Sequence, residues 1–117
     1  MRVLDEYFEA LRTQDWARVA PCLAEDVHRT GPYLDEVRGR EAYVKFLASA
    51  IGALRSYELR VHRVRELAPH SAVVELSEAM DRGGERREFP ELLLFDFDAA
   101  GRIARVDVYI KQPPRRT

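Results

Sequence analysis

The chain has 117 residues, 46% of them hydrophobic, a size that suits one compact domain over residues 1–112 with a core of its own and is too short for two. Its 19 Lys and Arg and 20 Asp and Glu are interleaved and leave a formal net charge of -1, so no strong field draws nucleic acid or an anionic membrane surface. The opening Met1-Arg2-Val3-Leu4-Asp5-Glu6 has acids where a secretory leader needs an apolar run, and no apolar stretch nears the roughly 20 residues of a membrane span. A cytoplasmic location is expected. Cys22 is the only cysteine, which excludes an internal disulfide.

In chain order, Val3, Leu4, Tyr7, Phe8 and Leu11 recur at i, i+1, i+4, i+5 and i+8, the single apolar stripe of an amphipathic helix. Asp15 stands as the N-cap of a second short helix with Trp16, Val19, Ala20 and Leu23 as its stripe, and Pro21 should bend it by removing a backbone donor. Trp16 is expected against the floor of a cavity. Residues 27–30 read as a brief strand ended by Gly31-Pro32, and the polar, aromatic run 33–38 as a loop over a cavity mouth. Gly39 opens a third helix with Tyr43, Phe46, Leu47, Ala50, Ile51 and Leu54 as its apolar positions.

The period changes at Tyr57. Tyr57, Leu59 and Val61 alternate with Glu58, Arg60 and His62, the pattern of a strand with one buried face. A turn at 68–71 leads into a hairpin over 72–97, whose adjacent glycines in Arg82-Gly83-Gly84-Glu85 tolerate the positive φ of a tight turn. After a second turn at 98–101 comes a last strand, with Ile103, Val106, Val108 and Ile110 apolar and Asp107 and Tyr109 facing the other way. Residues 113–117 read as a polar tail. The sum is an α+β fold: three N-terminal helices on one face of a curved, mainly antiparallel sheet, a meander of about four strands.

Chemistry concentrates in the hairpin. Val74, Leu76, Glu78 and Met80 share one face of its first strand, and Phe89, Glu91, Leu93, Phe95 and Phe97 one face of its second. Pairing Arg82 with Glu85 sets Glu78 opposite Phe89 and Glu91 opposite Leu76, which makes the acids diagonal neighbours about 6 to 8 Å apart. Burial and mutual repulsion should raise the pKa of at least one. One protonated and one ionised carboxyl can then donate a proton to one substrate atom while taking one from another. The competing role is structural: Arg29, whose parity with Val27 and Gly31 points it inward, or an arginine from a neighbouring strand, would neutralise the pair.

Tyr7 is either an oxyanion donor or a core residue with a satisfied hydroxyl. Tyr33, at the mouth, is expected to touch a ligand, with Arg29, Phe46, Tyr57, Met80, Phe95 and Ile110 as further substrate contacts. No set of histidines and acids has metal-ligand spacing, so neither metal nor cofactor is expected. Leu92-Leu93-Leu94-Phe95 is apolar on both sides. Helices can cover Leu93 and Phe95, so Leu92 and Leu94, with Tyr109, are expected to pack a homodimer through the outer sheet face.

Helix, helix, short strand, the Gly31-Pro32 corner, Val37-Arg38-Gly39-Arg40-Glu41-Ala42 opening the third helix, and Phe95-Asp96-Phe97-Asp98 through Gly101-Arg102-Ile103 together resemble the nuclear transport factor 2-like superfamily, in its SnoaL-like and ketosteroid-isomerase-like branch. The resemblance implies a cone-shaped barrel with a pocket between the helices and the concave sheet, commonly dimeric. Of the steroid isomerases' two oxyanion donors and base, matched here by Tyr7, Leu93 and Gly31, it carries over only the tyrosine. The arginine and two aspartates of the limonene-epoxide hydrolases would match Val74, Leu76 and Val108, and none carries over. Within that fold the inward pair Glu78 and Glu91 leads to the expectation of a cofactor-independent acid–base enzyme acting on a small, largely apolar or polyketide-like molecule, of isomerase, cyclase, dehydratase or epoxide-opening type. The alternatives are a non-catalytic module that binds a hydrophobic ligand and a dimeric scaffold with a vestigial pocket.

Overall fold

A computed structural model describes residues 1–67 and 69–112. Helix α1 (Arg2–Thr13) buries the expected stripe of Leu4, Tyr7, Phe8 and Leu11, and it stops where Gln14 turns left-handed at φ 55°. Asp15 caps α2 (Trp16–Val19), with Oδ1 accepting from the Arg18 amide at 3.3 Å. The second helix is shorter than expected. Pro21 lies in a 3-10 turn over Ala20–Cys22, and Leu23, placed on the helix stripe by periodicity, instead opens β1 (Leu23–Thr30). Helix α3 (Arg40–Gly52) starts after Gly39, as read.

The four-strand meander is present as β3 (Arg55–Leu67), β4 (Ser71–Arg82), β5 (Glu85–Phe97) and β6 (Ile103–Ile110). It is not the whole sheet. Strand β1 begins four residues before the expected strand, and β2 (Glu36–Arg38) takes the end of the run read as a loop. The six strands lie in the order β2-β1-β6-β5-β4-β3, with β1 parallel to β6 and every other pair antiparallel. Hairpin register is as derived from the turn: Arg82 pairs with Glu85, Glu78 with Phe89 and Leu76 with Glu91. Gly83 and Gly84 take φ 59° and 79°, the two positive values that such a turn requires.

The expected α+β architecture is present, three helices on a curved, mainly antiparallel sheet, and that sheet stays open along one side. Its terminal strands β2 and β3 do not pair, and the helices bridge the gap, α1 against β3 and α3 against β1 and β2. Between helices and sheet sits the core, where Phe95 is fully buried with its ring 5.9 Å from that of Tyr7 and 5.8 Å from that of Phe8. On the opposite face Leu92 and Tyr109 are cross-strand partners, 39% and 59% exposed. No helix among the described residues is long and apolar enough to cross a membrane. The polar tail expected at 113–117 lies outside the described residues, as does Ala68 in the turn before β4.

Candidate active site

A cleft of about 440 Å³ opens between α3 and the hairpin. Phe46, Ala50 and Leu54 line it from α3 and just beyond, at the four-residue spacing that keeps side chains on one side of a helix. Glu78, Met80 and Arg82 of β4 and Phe89 and Glu91 of β5 line it from the sheet, because alternate residues of a strand share a face. Arg29, Pro32, Tyr33 and Asp35 close the β1 side, together with Ile110 of the neighbouring β6 and Gln112, which bonds Tyr33. A larger depression of about 840 Å³ beside the start of α3 is shallow surface, and its acids, Glu25 and Glu41, are exposed.

Both hairpin glutamates face this cleft. Glu91 is 8% exposed and Glu78 half-buried. Burial drives the Glu91 pKa well above the ordinary carboxyl value, its hydrogen bond to Glu78 and the charge of Glu78 raise it further, and Arg29 only partly offsets this. The direction of the shift favours the neutral, protonated form of Glu91. The Tyr57 hydroxyl donates to Glu78 Oε2, and burial followed by the Glu78 charge keeps that phenol protonated. Among the described residues no cation forms an ion pair with either glutamate.

Arg29 is turned inward, as its parity indicated, yet its ion-pair partner is Asp35. The guanidinium is 3.2 Å from Asp35 Oδ2 and lies over the Phe46 ring, 4.4 Å from its centroid. Position 31 makes room for this: a Cβ there would meet the Asp35 carboxyl at 2.4 Å, so glycine is the residue that fits. Burial alone would raise the Asp35 pKa. Backbone N–H donors of Asp35 and Tyr33, with Arg29, outweigh it and hold the carboxyl below its ordinary value.

Of the residues read from sequence, Glu78, Glu91, Arg29, Tyr33, Phe46, Met80 and Ile110 meet at the cleft, and Tyr7, Trp16, Tyr57 and Phe95 do not line it. Tyr7 is buried in the core with its hydroxyl 2.9 Å from that of Tyr43. Trp16 is half-buried and packs on the edge of the core, Phe95 belongs to the aromatic cluster, and Tyr57 reaches Glu78 instead of open volume. Tyr33 is 77% exposed at the mouth, its hydroxyl accepting from Gln112 Nε2 at 3.2 Å.

Arg82, Phe89 and Asp35 were not among the expected substrate contacts, although Phe89 was read as part of the apolar row around the two acids. Hairpin parity was a sufficient signal for the first two, which stand on the rows of Glu78 and Glu91. Asp35 had none, because its loop folds back through Leu34 in a left-handed conformation at φ 64° that no periodicity marks. Among the described residues no group of three or more His, Cys, Asp and Glu side chains is placed to hold a metal ion.

Comparison with known proteins gives a family match: the SnoaL-like domain model covers residues 4–106. No curated protein sequence matches. Among solved structures, a Kribbella flavida protein whose name proposes a ketosteroid isomerase superposes with a TM-score of 0.81 at 24% identity, over 99% of this chain and 80% of that one. An epoxide hydrolase of the LEH-like type from M. tuberculosis superposes with a TM-score of 0.79 at 22% identity, over 94% and 80% of the two chains. SalBIII, described as an epoxide hydrolase/cyclase-like enzyme in pyran ring formation, reaches a TM-score of 0.82 at 18% identity, over 95% and 89%. At these identities the likeness is one of fold.

Proposed function

The chain belongs to the SnoaL-like domain family, and from that premise we propose that it is a cofactor-independent acid–base enzyme acting on a small, largely apolar molecule. The observation that carries this reading is the Glu91–Glu78 pair: a buried carboxyl whose pKa is raised beside a second, half-buried one, both open to a cleft and without an ion-pair partner among the described residues. Glu78 serves as the base and takes a proton from a substrate carbon or from an attacking water. Glu91 donates to the substrate oxygen on which negative charge develops. In an isomerisation Glu78 returns its proton to a different carbon. In an epoxide opening the Glu91 proton goes to the ring oxygen as the C–O bond breaks, and the proton lost by water remains on Glu78.

The lining supports an apolar substrate, since Phe46, Leu54, Met80, Phe89 and Ile110 surround the acids. The test is to assay ketosteroid isomerisation, epoxide hydrolysis and ring-forming cyclisation, the activities carried by the names of its structural neighbours. Glu78→Gln and Glu91→Gln should each lower kcat/KM by about 100-fold while both proteins stay folded. Full activity in both variants would overturn the assignment. A second reading, a module that binds a hydrophobic ligand unchanged, draws support from Gly31 and Leu93, which stand where the resemblance puts an isomerase's base and second oxyanion donor. It would be favoured if the wild type binds such ligands and turns none over.

The same proposal includes a homodimer formed through the outer sheet face, supported by the exposed pair Leu92 and Tyr109 and the half-buried Leu94 beside them, and a cytoplasmic location.

A further inference from the structure

We propose that Tyr57 is a positioning residue for Glu78: its hydroxyl, donated to Oε2, fixes which carboxylate oxygen faces the cleft. This rests on the reading of Glu78 as the base. The arrangement is built into β3, where Arg55 pairs with Asp81 and Glu58 with Ala79, so three steps along β3 match two along β4. That is a bulge, the device by which a strand re-aims a side chain. Ser56 sits in it at φ 52°, a left-handed conformation unfavourable for a residue with a Cβ. Tyr57, the next residue, is not a lining residue of the cleft and meets Glu78 instead of the ligand.

The surroundings of Glu78 leave this role to neutral donors. Tyr57 faces it from β3 and Glu91 from β5, while Tyr7 of α1 and Tyr43 of α3 feel its charge from below. The nearby arginines have other partners: Arg12 of α1 pairs with Glu9, and Arg29 of β1 with Asp35. Arg82, farther along β4, lies over the Phe89 ring. A hydrogen bond that favours the charged form lowers the affinity of a carboxylate for protons, so removing the phenol hydroxyl must raise it. Tyr57 thus acts on the chemistry through Glu78 and touches no reacting atom.

The test is a carbon NMR titration of protein labelled at the glutamate side-chain carboxyls, with the pair's signals assigned by their loss in Glu78→Gln and Glu91→Gln. In Tyr57→Phe the lower of the pair's two apparent midpoints should rise by about one pH unit. An unmoved midpoint overturns the proposal. A ring-fluorinated tyrosine at position 57, a stronger donor, should move the midpoint down, and it carries the test by itself if the Phe variant does not fold. A rise or no change there overturns it equally. No substrate is needed, so the two readings fail separately: full activity of Glu78→Gln removes the base and leaves the titration standing, and a flat titration beside an inactive Glu78→Gln does the reverse.

Discussion

The hairpin delivers Glu91 into a buried position beside a second carboxyl, and both circumstances raise its pKa. A carboxyl whose pKa is raised on folding is bound to its proton more tightly in the native state than in the unfolded one. Its stabilising contribution is complete below the ordinary value of 4.5 and is lost as pH rises toward the raised value. Glu91→Gln preserves shape and donor but cannot ionise, so its advantage over the wild type should grow with pH. The gap in Tm between Glu91→Gln and the wild type should therefore be clearly larger at pH 8 than at pH 4.5. Equal gaps in thermal melts at the two pH values would show that burial does not hold the proton there. Arg29 shows how one residue's parity can be right and its chemistry different, since the inward guanidinium neutralises Asp35 and not the glutamates.

At the scale of elements, helix α1 ends without a glycine. Gln14 takes the left-handed C-cap conformation, at φ 55° and ψ 39°, while its amide bonds the Leu11 carbonyl at 3.1 Å. A side chain pays a steric penalty in that region that glycine does not, so Gln14→Gly should stabilise the protein by about 0.5 to 1 kcal/mol in urea unfolding. A loss of stability would mean that the exposed Gln14 side chain does more than occupy the cap. Strand β3 handles the same backbone problem differently. Ser56 is also left-handed, but its bulge aims Tyr57, so the unfavourable conformation serves the site and not only the end of an element.

For the whole molecule, the open sheet leaves one face without a layer of helices. Ion pairs such as Arg63–Glu75 and Arg105–Asp107 cover parts of that face, and the Leu92–Tyr109 pair is left among them. Burying this patch against a second copy would give a particle of twice the 13.5 kDa chain mass in sedimentation at micromolar concentration. Leu92→Lys with Tyr109→Lys should convert it to monomer and leave the helix-covered core untouched. A wild-type monomer under those conditions would sink the dimer.

The helices, the hairpin, its register and the shared face of Glu78 and Glu91 were legible in the chain itself, because each follows from local periodicity and from a turn whose glycines set the pairing of Arg82 with Glu85. The rest depended on contacts between segments far apart in sequence. Whether the sheet closes, whether Leu23 belongs to a helix or to β1, and whether Trp16 and Phe95 meet a cavity or the core are settled by competition for the same buried volume, which no local pattern encodes. The partners of Arg29 and Glu78 were decided in the same way. Hydrogen bonds and ion pairs form with whichever group tertiary folding brings within about 3 Å, and only folding brings Asp35 beside Gly31 and the Tyr57 hydroxyl to Glu78.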